Sequence, residues 1–505
     1  MKTLWTEGKI FTMKADKEVV EAVLVEDGVI INTGLKKDLL PFADHVESLN
    51  GNAMYPGFVD SHIHLIGHGE KLSYLDLSTF TSIEKIKETI PAYISREQWY
   101  VTEGWDDNKL EEGREITSND LDFITETAVV LKRVCRHVLV ANSTAMKLAG
   151  ISKETPNPVG GEIGKDENGE LNGLFYDEAQ RLITEHIPLP SIEYLKGIIT
   201  SSIEDLKSKG LTGVHTEDMA YYGHYKVTLQ AYREVVNNDF RVHLLRHHQV
   251  FEQMQREEPS TYIEFGAMKI FVDGSLGGRT ALLSEDYSDE QGKKGVEVHS
   301  PEKLEALVKM ARSYDENIAV HVIGDKAVEK ILDLIEKYPV AEGKKDRLIH
   351  VNVLRPDLVE RMKKLPVVLD LQPIFVPSDF PWVKERLGSS RLQWAYAWKS
   401  LLEQGFECSG GSDSPVELAD PLLGIDAAVN NSYLPEQSLT LFEAISLYTS
   451  GSAKAIGREN NRGMILPGYD ADFTILDNVL DNTNILSTSV VNTVVAGEIV
   501  YKKEK

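Results

Sequence analysis

Cysteine is nearly absent. The 505 residues contain two, Cys135 and Cys408, far apart in the chain. That excludes a disulfide framework and a thiolate zinc site, and it fits a reducing cytoplasm. Basic charge is also in short supply. Lys and Arg number 54 against 79 Asp and Glu, a formal net charge of −25. Nucleic acid needs basic patches, and an anionic membrane surface needs them too, so both are excluded as partners. No apolar run approaches the ~20 residues of a membrane span. The first residues, Met1 to Gly8, lack the apolar stretch of a signal peptide. No short-period repeat or low-complexity segment is present. The expectation is a cytoplasmic protein too long for one compact core, acting on a small molecule.

What is present is histidine at the ends of apolar runs. Gly57-Phe58-Val59-Asp60-Ser61-His62-Ile63-His64 ends in two histidines at i, i+2. On a strand these project from one face, and two neutral imidazoles on one face can hold a divalent ion. Three further runs carry a possible ligand at or just past their C-terminal end: Ala319-Val320-His321, Leu348-Ile349-His350 and Gly410-Gly411-Ser412-Asp413. In (β/α)8 barrels the chemistry sits at the C-terminal ends of several different strands. Eight candidate strands fit that scheme: 57–64, 211–216, 241–247, 267–273, 318–322, 347–351, 367–372 and 406–410. Helical spacing over 300–314 and 326–338 separates some of them, and the alternation points to a parallel sheet.

The remainder divides by length. Residues 1–55 and 460–505 are rich in short Val/Ile runs and too small to bury cores alone, so they are expected to pair as one β-sandwich. The interval between the first two barrel strands is far longer than a connection needs. Residues 70–190 therefore read as an inserted α/β domain, with strands at 98–102, 128–133 and 137–141. A glycine-rich loop runs through Pro158 to Gly164, and a turn through Asp166 to Gly169. An insertion after strand one is placed to wall or cover the site. The barrel proper is then 56–69 plus 191–459. The fold class expected is α/β: a (β/α)8 TIM barrel with a composite β-sandwich from both termini and this insertion.

These segments together resemble the metal-dependent amidohydrolase superfamily, and within it the YtcJ-like branch that includes N-substituted formamide deformylases. The likeness spans essentially the whole chain. It rests on Gly57–His64, Glu103-Gly104-Trp105-Asp106, Met268–Leu276, Val320–Asp325, Ile349-His350, Gly411–Pro415 and Gly463–Phe473. The resemblance implies that His62, His64 and Asp413 bind the more buried of two divalent metal ions, expected to be Zn²⁺. It implies that His321 and His350 bind the second, and that Lys269 bridges them as a carbamate (N6-carboxylysine). An ammonium would repel two cations, whereas its adduct with carbon dioxide is an anion. Lys269, Phe271 and Asp273 share a strand face by period two, so Lys269 can point inward. The alternative is a buried lysine paired with Asp273 and a mononuclear site. One departure is Asn352, where the family often carries Gln.

The implied chemistry is attack of metal-activated hydroxide on a carbonyl carbon, with Asp413 as ligand and proton shuttle. The expected reaction is hydrolysis of a carbon–nitrogen bond other than a peptide bond, in an N-acyl, N-formyl or cyclic amide. Competing readings are deaminase, lactonase or carbamate chemistry at the same site, or a catalytically silent regulator or ligand-binding protein. Substrate contacts are expected from His215, Asp273, Arg279 and Trp105. His243, His247 and His248 read as structural. The partner expected is a small-molecule amide, with room for a homodimer.

Overall fold

The computed structural model describes residues 1–94, 98–133, 138–158 and 160–504. Cys135, His137 at the start of one expected strand, and Val159 of the glycine-rich loop lie outside the described residues. The chain divides into two compact units, Met1–His68 with Ile192–Lys505, and Gly69–Ser191.

The larger unit is built on eight parallel strands hydrogen-bonded in chain order: Phe58–Ile63, Leu211–Thr216, Arg241–His247, Ile263–Phe271, Ile318–Val322, Asp346–His350, Val367–Leu371 and Cys408–Gly410. They form a nearly closed barrel. The seam between the last and first strands is tight because Gly411 has no side chain. A Cβ there would lie 2.5 Å from the His62 backbone nitrogen. Strand two is buried along its whole length, as expected of a parallel strand covered on both faces. The helices that cover the barrel follow the sequence pattern. Pro301–Ser313 starts at Ser300, whose hydroxyl accepts from the Lys303 N–H at 3.3 Å. Asp325–Lys337 buries Val328, Ile331, Leu332 and Ile335 at helical spacing.

The barrel interior holds Leu245, Ala267, Ala319 and Ile349 as a small apolar cluster. Beside Ile349 in the register lies the buried pair Arg347–Asp370, and Arg347 also donates to the Ser61 carbonyl at 2.7 Å. Strand four begins at Ile263 and stops at Phe271 rather than running from Ala267 to Asp273. Asp273 therefore lies in the loop.

Both termini contribute to one sheet. Its order is 498–502, 490–495, 473–476, 53–56, 2–11, 19–26, 29–34, with 45–48 alongside 2–11. Trp5, Val23, Met54, Phe473 and Val494 form its core, and Trp5 meets Phe473 edge-on at 5.9 Å. This sheet clusters with the barrel in a single compact unit. Part of the reason is a charged network at the N-terminal end of the barrel strands. Arg241 pairs with Asp472 at 2.6 Å, Arg462 with Asp470 at 2.8 Å and with Glu264 at 3.0 Å, and Arg458 with Glu264 at 2.7 Å. Burial works against the Glu264 charge, but His243, Arg462 and Arg458 outweigh it and hold the carboxyl well below its usual value. Its stabilising effect is full above the unfolded value of about 4.5 and is lost as pH falls below it. We therefore expect Glu264→Gln to lower Tm by a few degrees at pH 7, with the gap to wild type closing on acidification below about 4.5. Melts at both pH values check this; a gap independent of pH contradicts it.

The smaller unit carries a five-stranded sheet in the order 161–165, 171–177, 138–141, 128–133, 99–105. Only the last two strands pair in parallel. Strand 128–133 is buried on both faces. Val129 and Leu131 join one core with Trp105 and Ile86, and Ala128 and Val130 join another with Phe175 and Ile183. No helix among the described residues is long and apolar enough to cross a membrane.

Candidate metal centre

His62, His64 and Asp413 offer ligand atoms that all lie within 4.8 Å of one another. Three local features put them there. Across strand two, Val214 pairs with Asp60 and Thr216 with Ile63, so strand one carries an extra residue. That bulge re-aims the chain at His62. The carboxylate of Asp60 accepts the His62 and Ser412 N–H groups at 3.0 and 3.1 Å, tying both ends of the seam. The Asp413 N–H donates to the His62 carbonyl at 2.7 Å. Asp413 and His350 both hold left-handed backbone, φ 54° and 80°. Such conformations cost energy in non-glycine residues and cluster at functional sites.

The remaining ligands close around this group. His62 Nε2 lies 3.3 Å from Asp413 Oδ1, His64 Nε2 3.5 Å from the same oxygen, and His350 Nε2 3.9 Å from Oδ2. His350 Nε2 is 3.1 Å from His321 Nδ1, and Lys269 Nζ is 3.3 Å from His62 Nε2. All six residues expected at the metals thus meet at the C-terminal rim.

The hydrogen bonds of the rings decide what fits between them. His321 turns Nε2 to the Gly274 carbonyl at 3.2 Å. His350 turns Nδ1 to the Gln372 side-chain oxygen at 2.7 Å, and His64 turns Nδ1 to the Glu217 carbonyl at 2.8 Å. A neutral imidazole has one proton, and at His321 and His350 the facing oxygen accepts that N–H. The nitrogens of His321 and His350 that face each other at 3.1 Å therefore present two lone pairs. That arrangement repels unless a cation lies against both. Burial, reinforced by Lys269, holds His62 and His321 down to about 4. Both rings are thus neutral donors at pH 7. Burial opposes charge on His64 too, but Asp413, with Asp218 and Glu217, lifts it to about 9. The carboxylates draw positive charge to this spot. The donor set of imidazole nitrogens and carboxylate oxygen is that of zinc and similar ions.

Lys269 is fully buried and makes no ion pair with Asp273. Asp273 is committed to backbone: it accepts from Leu282, Ile323 and Gly324 N–H groups at 2.9, 3.0 and 2.8 Å, which pins two rim loops. The other residues expected at the substrate are also placed. His215 packs its ring 5.1 Å from His243 and lines a small polar cavity with Arg241, Glu264 and Arg462 at the opposite end of the barrel. Arg279 pairs with Asp289 at 2.8 Å and Glu290 at 3.4 Å, anchoring its own loop. Trp105 is 0 % exposed within the core of the smaller unit and donates to the Leu131 carbonyl at 3.0 Å. It has no surface left to offer a substrate.

Gln372 is the residue that orients His350. Asn352, two residues past His350, does not reach the ring; its backbone carbonyl accepts from Tyr396 at 2.8 Å. Gln372 ends the expected seventh strand, a strand-end position that could have marked it, but it is not among the expected site residues. Partners of this kind commonly carry 10–100-fold in metal affinity. We expect Gln372→Leu to weaken metal binding by about 10–100-fold with the fold intact, read by competition with a chelator. Unchanged affinity contradicts it.

The sequence matches the model of the amidohydrolase family over residues 45–501. It is 46 % identical to YtcJ of Bacillus subtilis (strain 168) over the full length of both chains. It is 26 % identical to the N-substituted formamide deformylase of Arthrobacter pascens, covering 92 % of this chain and 91 % of the relative. Among solved structures, an uncharacterised metal-dependent hydrolase from Pyrococcus furiosus superposes with TM-score 0.84 at 30 % identity, covering 95 % of this chain and 99 % of that one. A barrel with its histidines and aspartate gathered at the strand ends is the architecture of a metal-dependent hydrolase. The chain belongs to the amidohydrolase family.

Proposed function

We propose that this protein hydrolyses a carbon–nitrogen bond other than a peptide bond, in an N-acyl or N-formyl amide, with two divalent cations, Zn²⁺ the best match. His62, His64 and Asp413 would hold one; His321 and His350 would hold the other; Lys269 would join them as a carbamate. The observation that carries this is the pair of opposed lone pairs on His321 and His350, beside a fully buried lysine that makes no ion pair with Asp273. Burial pushes the Lys269 ammonium down to about 8, so a useful fraction is free amine. Free amine adds to carbon dioxide, releasing one proton and leaving an anion on the side chain.

When bound, such ions polarise a carbonyl oxygen and make a water acidic near neutral pH. The chain supplies the rest. Asp413 is ionised and takes the proton of the attacking water at a carboxylate oxygen. It returns that proton to the departing nitrogen, which is a poor leaving group until protonated. The products are a carboxylate and an amine. The kinship to a formamide deformylase supports this bond class over lactones or nucleobases.

The test is a hydrolysis panel on metal-loaded protein: aryl N-formyl and N-acetyl amides, a lactone, and adenine and guanine as deamination probes. Release of amine and acid from the amides is expected, abolished by chelation and restored by added metal. Turnover confined to the lactone or the nucleobases, or none at all, overturns the reading.

A further inference from the structure

His62 hangs from a peptide that side chains hold. Across strand two the register passes from Asp60 to Ile63 and skips Ser61 and His62. The other edge of strand one is the seam, where the ladder of strands ends. Buried backbone groups must still be paired. The N–H of the Ser61–His62 peptide donates to Asp60 Oδ1 at 3.0 Å. The carbonyl of the same peptide accepts from Arg347 Nη2 at 2.7 Å. One peptide plane is thus gripped on both edges, directly before the ring expected at the metal.

Arg347 comes from strand six, three residues before His350, and is buried. Its Nε donates to Asp370 Oδ2 on strand seven at 2.9 Å, and Nη2 donates to the same oxygen. Ser409 on strand eight donates to the other Asp370 oxygen. The network therefore spans strands six, seven, eight and one. That is the arc from which His350, Asp413 and His62 emerge. The His62 and His350 rings lie with centroids 5.4 Å apart, yet they belong to different ligand sets. A guanidinium suits this post because its planar fork meets two acceptors in fixed directions, whereas an ammonium is a point charge. Burying two charges is costly even when they pair, and an apolar pair would fill the same space. Packing alone therefore does not account for Arg347.

We propose that Arg347 is a positioning residue for the metal centre. Through the Ser61 carbonyl it fixes the peptide that carries His62. It thereby sets the spacing between the ligand set of His62, His64 and Asp413 and that of His321 and His350. Asp370 holds the guanidinium in place. This rests on the two-cation reading above. That reading names the ligands; this inference names what keeps the two sets in register.

The test compares wild type with two variants of the full chain. Arg347→Met/Asp370→Leu removes both charges and leaves neither orphaned. Arg347→Lys keeps a charge for Asp370 but loses the fork. Arg312→Met is the stability control, because Arg312 pairs with the buried Asp346, also on strand six, at 2.6 Å. Zinc affinity is read by competition with a chelator. Hydrogen–deuterium exchange over residues 58–64 is read on the metal-free protein, and Tm on every sample. Both Arg347 variants are expected to bind zinc about 10–100-fold more weakly. Both are expected to exchange about 10-fold faster over 58–64, with 318–322 unchanged. Arg312→Met is expected to lower Tm and keep wild-type zinc affinity. Unchanged affinity or unchanged exchange in the Arg347 variants overturns the proposal. An equal loss of zinc in Arg312→Met at matched Tm overturns it too. If the paired variant does not fold, Arg347→Lys decides by the same two readouts. Wild type that binds no zinc overturns the two-cation reading and this inference with it. Wild type that binds zinc beside unaltered variants overturns this inference alone.

Discussion

Asp413→Asn is expected to reduce turnover by at least about 10³-fold while leaving most of the metal in place. The two readings separate because Asp413 has two duties. As a ligand it offers an oxygen beside His62, His64 and His350, and asparagine keeps one such oxygen. As a base it must take a proton, and an amide does not do so near neutral pH. The substitution is also mild for the backbone. Position 413 sits at φ 54°, and asparagine tolerates the left-handed region better than most residues. Burial opposes the charge of Asp413, but the three histidines outweigh it and keep the carboxyl well below its usual value. The base is therefore ionised throughout the neutral and mildly acidic range, and removing it is a cleaner test than protonating it. Rate and metal content should be measured on the same preparation. A variant with full metal and near-normal rate shows that another group moves the proton.

Lys269→Ala is expected to lose about 10²–10⁴-fold in rate, with partial recovery in millimolar acetate or propionate. Lys269 is fully buried, and its Nζ lies 3.3 Å from His62 Nε2. Truncation leaves a hole the size of the missing stem, and a short carboxylic acid can place its oxygens where the carbamate would have been. Lys269→Met serves as the volume control. It fills the hole, supplies no anion, and is expected to stay inactive with or without the acid. Wild-type activity in Lys269→Ala refutes the bridge and favours a mononuclear site. Rescue of Lys269→Met by the acid would show that the effect is not replacement of the side chain.

How much of this was legible depends on whether a residue acts through its own strand or through a neighbour. His62, His64, His321 and His350 sit at the ends of apolar runs, and a parallel barrel sends strand ends to one rim. Pattern alone brings them together. Asp413 follows the shortest barrel strand, Cys408–Gly410, and is legible as a possible ligand just past the end of a run of small residues. The barrel order followed from the same runs. Tertiary facts were out of reach. The buried Glu217 carboxyl is held by Tyr221, whose hydroxyl donates to Oε2 at 2.6 Å. The orientation of His350 comes from Gln372 on the adjacent strand, whereas proximity in sequence points to Asn352. His215 obeys the same apolar-run pattern as the ligands, yet its ring packs against His243 and lines a cavity with Arg241, Glu264 and Arg462. Trp105 is a large aromatic in a conspicuous motif, and hydrophobic burial in its own unit claimed it. In each case the deciding contact is tertiary, which residue spacing within one strand does not carry.

The central claim is that six side chains hold two joined cations at the barrel rim. Anomalous diffraction from crystals of zinc-loaded protein, collected on both sides of the zinc absorption edge, tests it most directly. The account predicts two peaks about 3.5–4 Å apart. One should lie about 2.0–2.2 Å from nitrogens of His62 and His64 and an oxygen of Asp413, the other at the same distance from His321 and His350. Density should continue from Lys269 Nζ to a planar group touching both. A zinc peak away from these residues, or none at all, would contradict it.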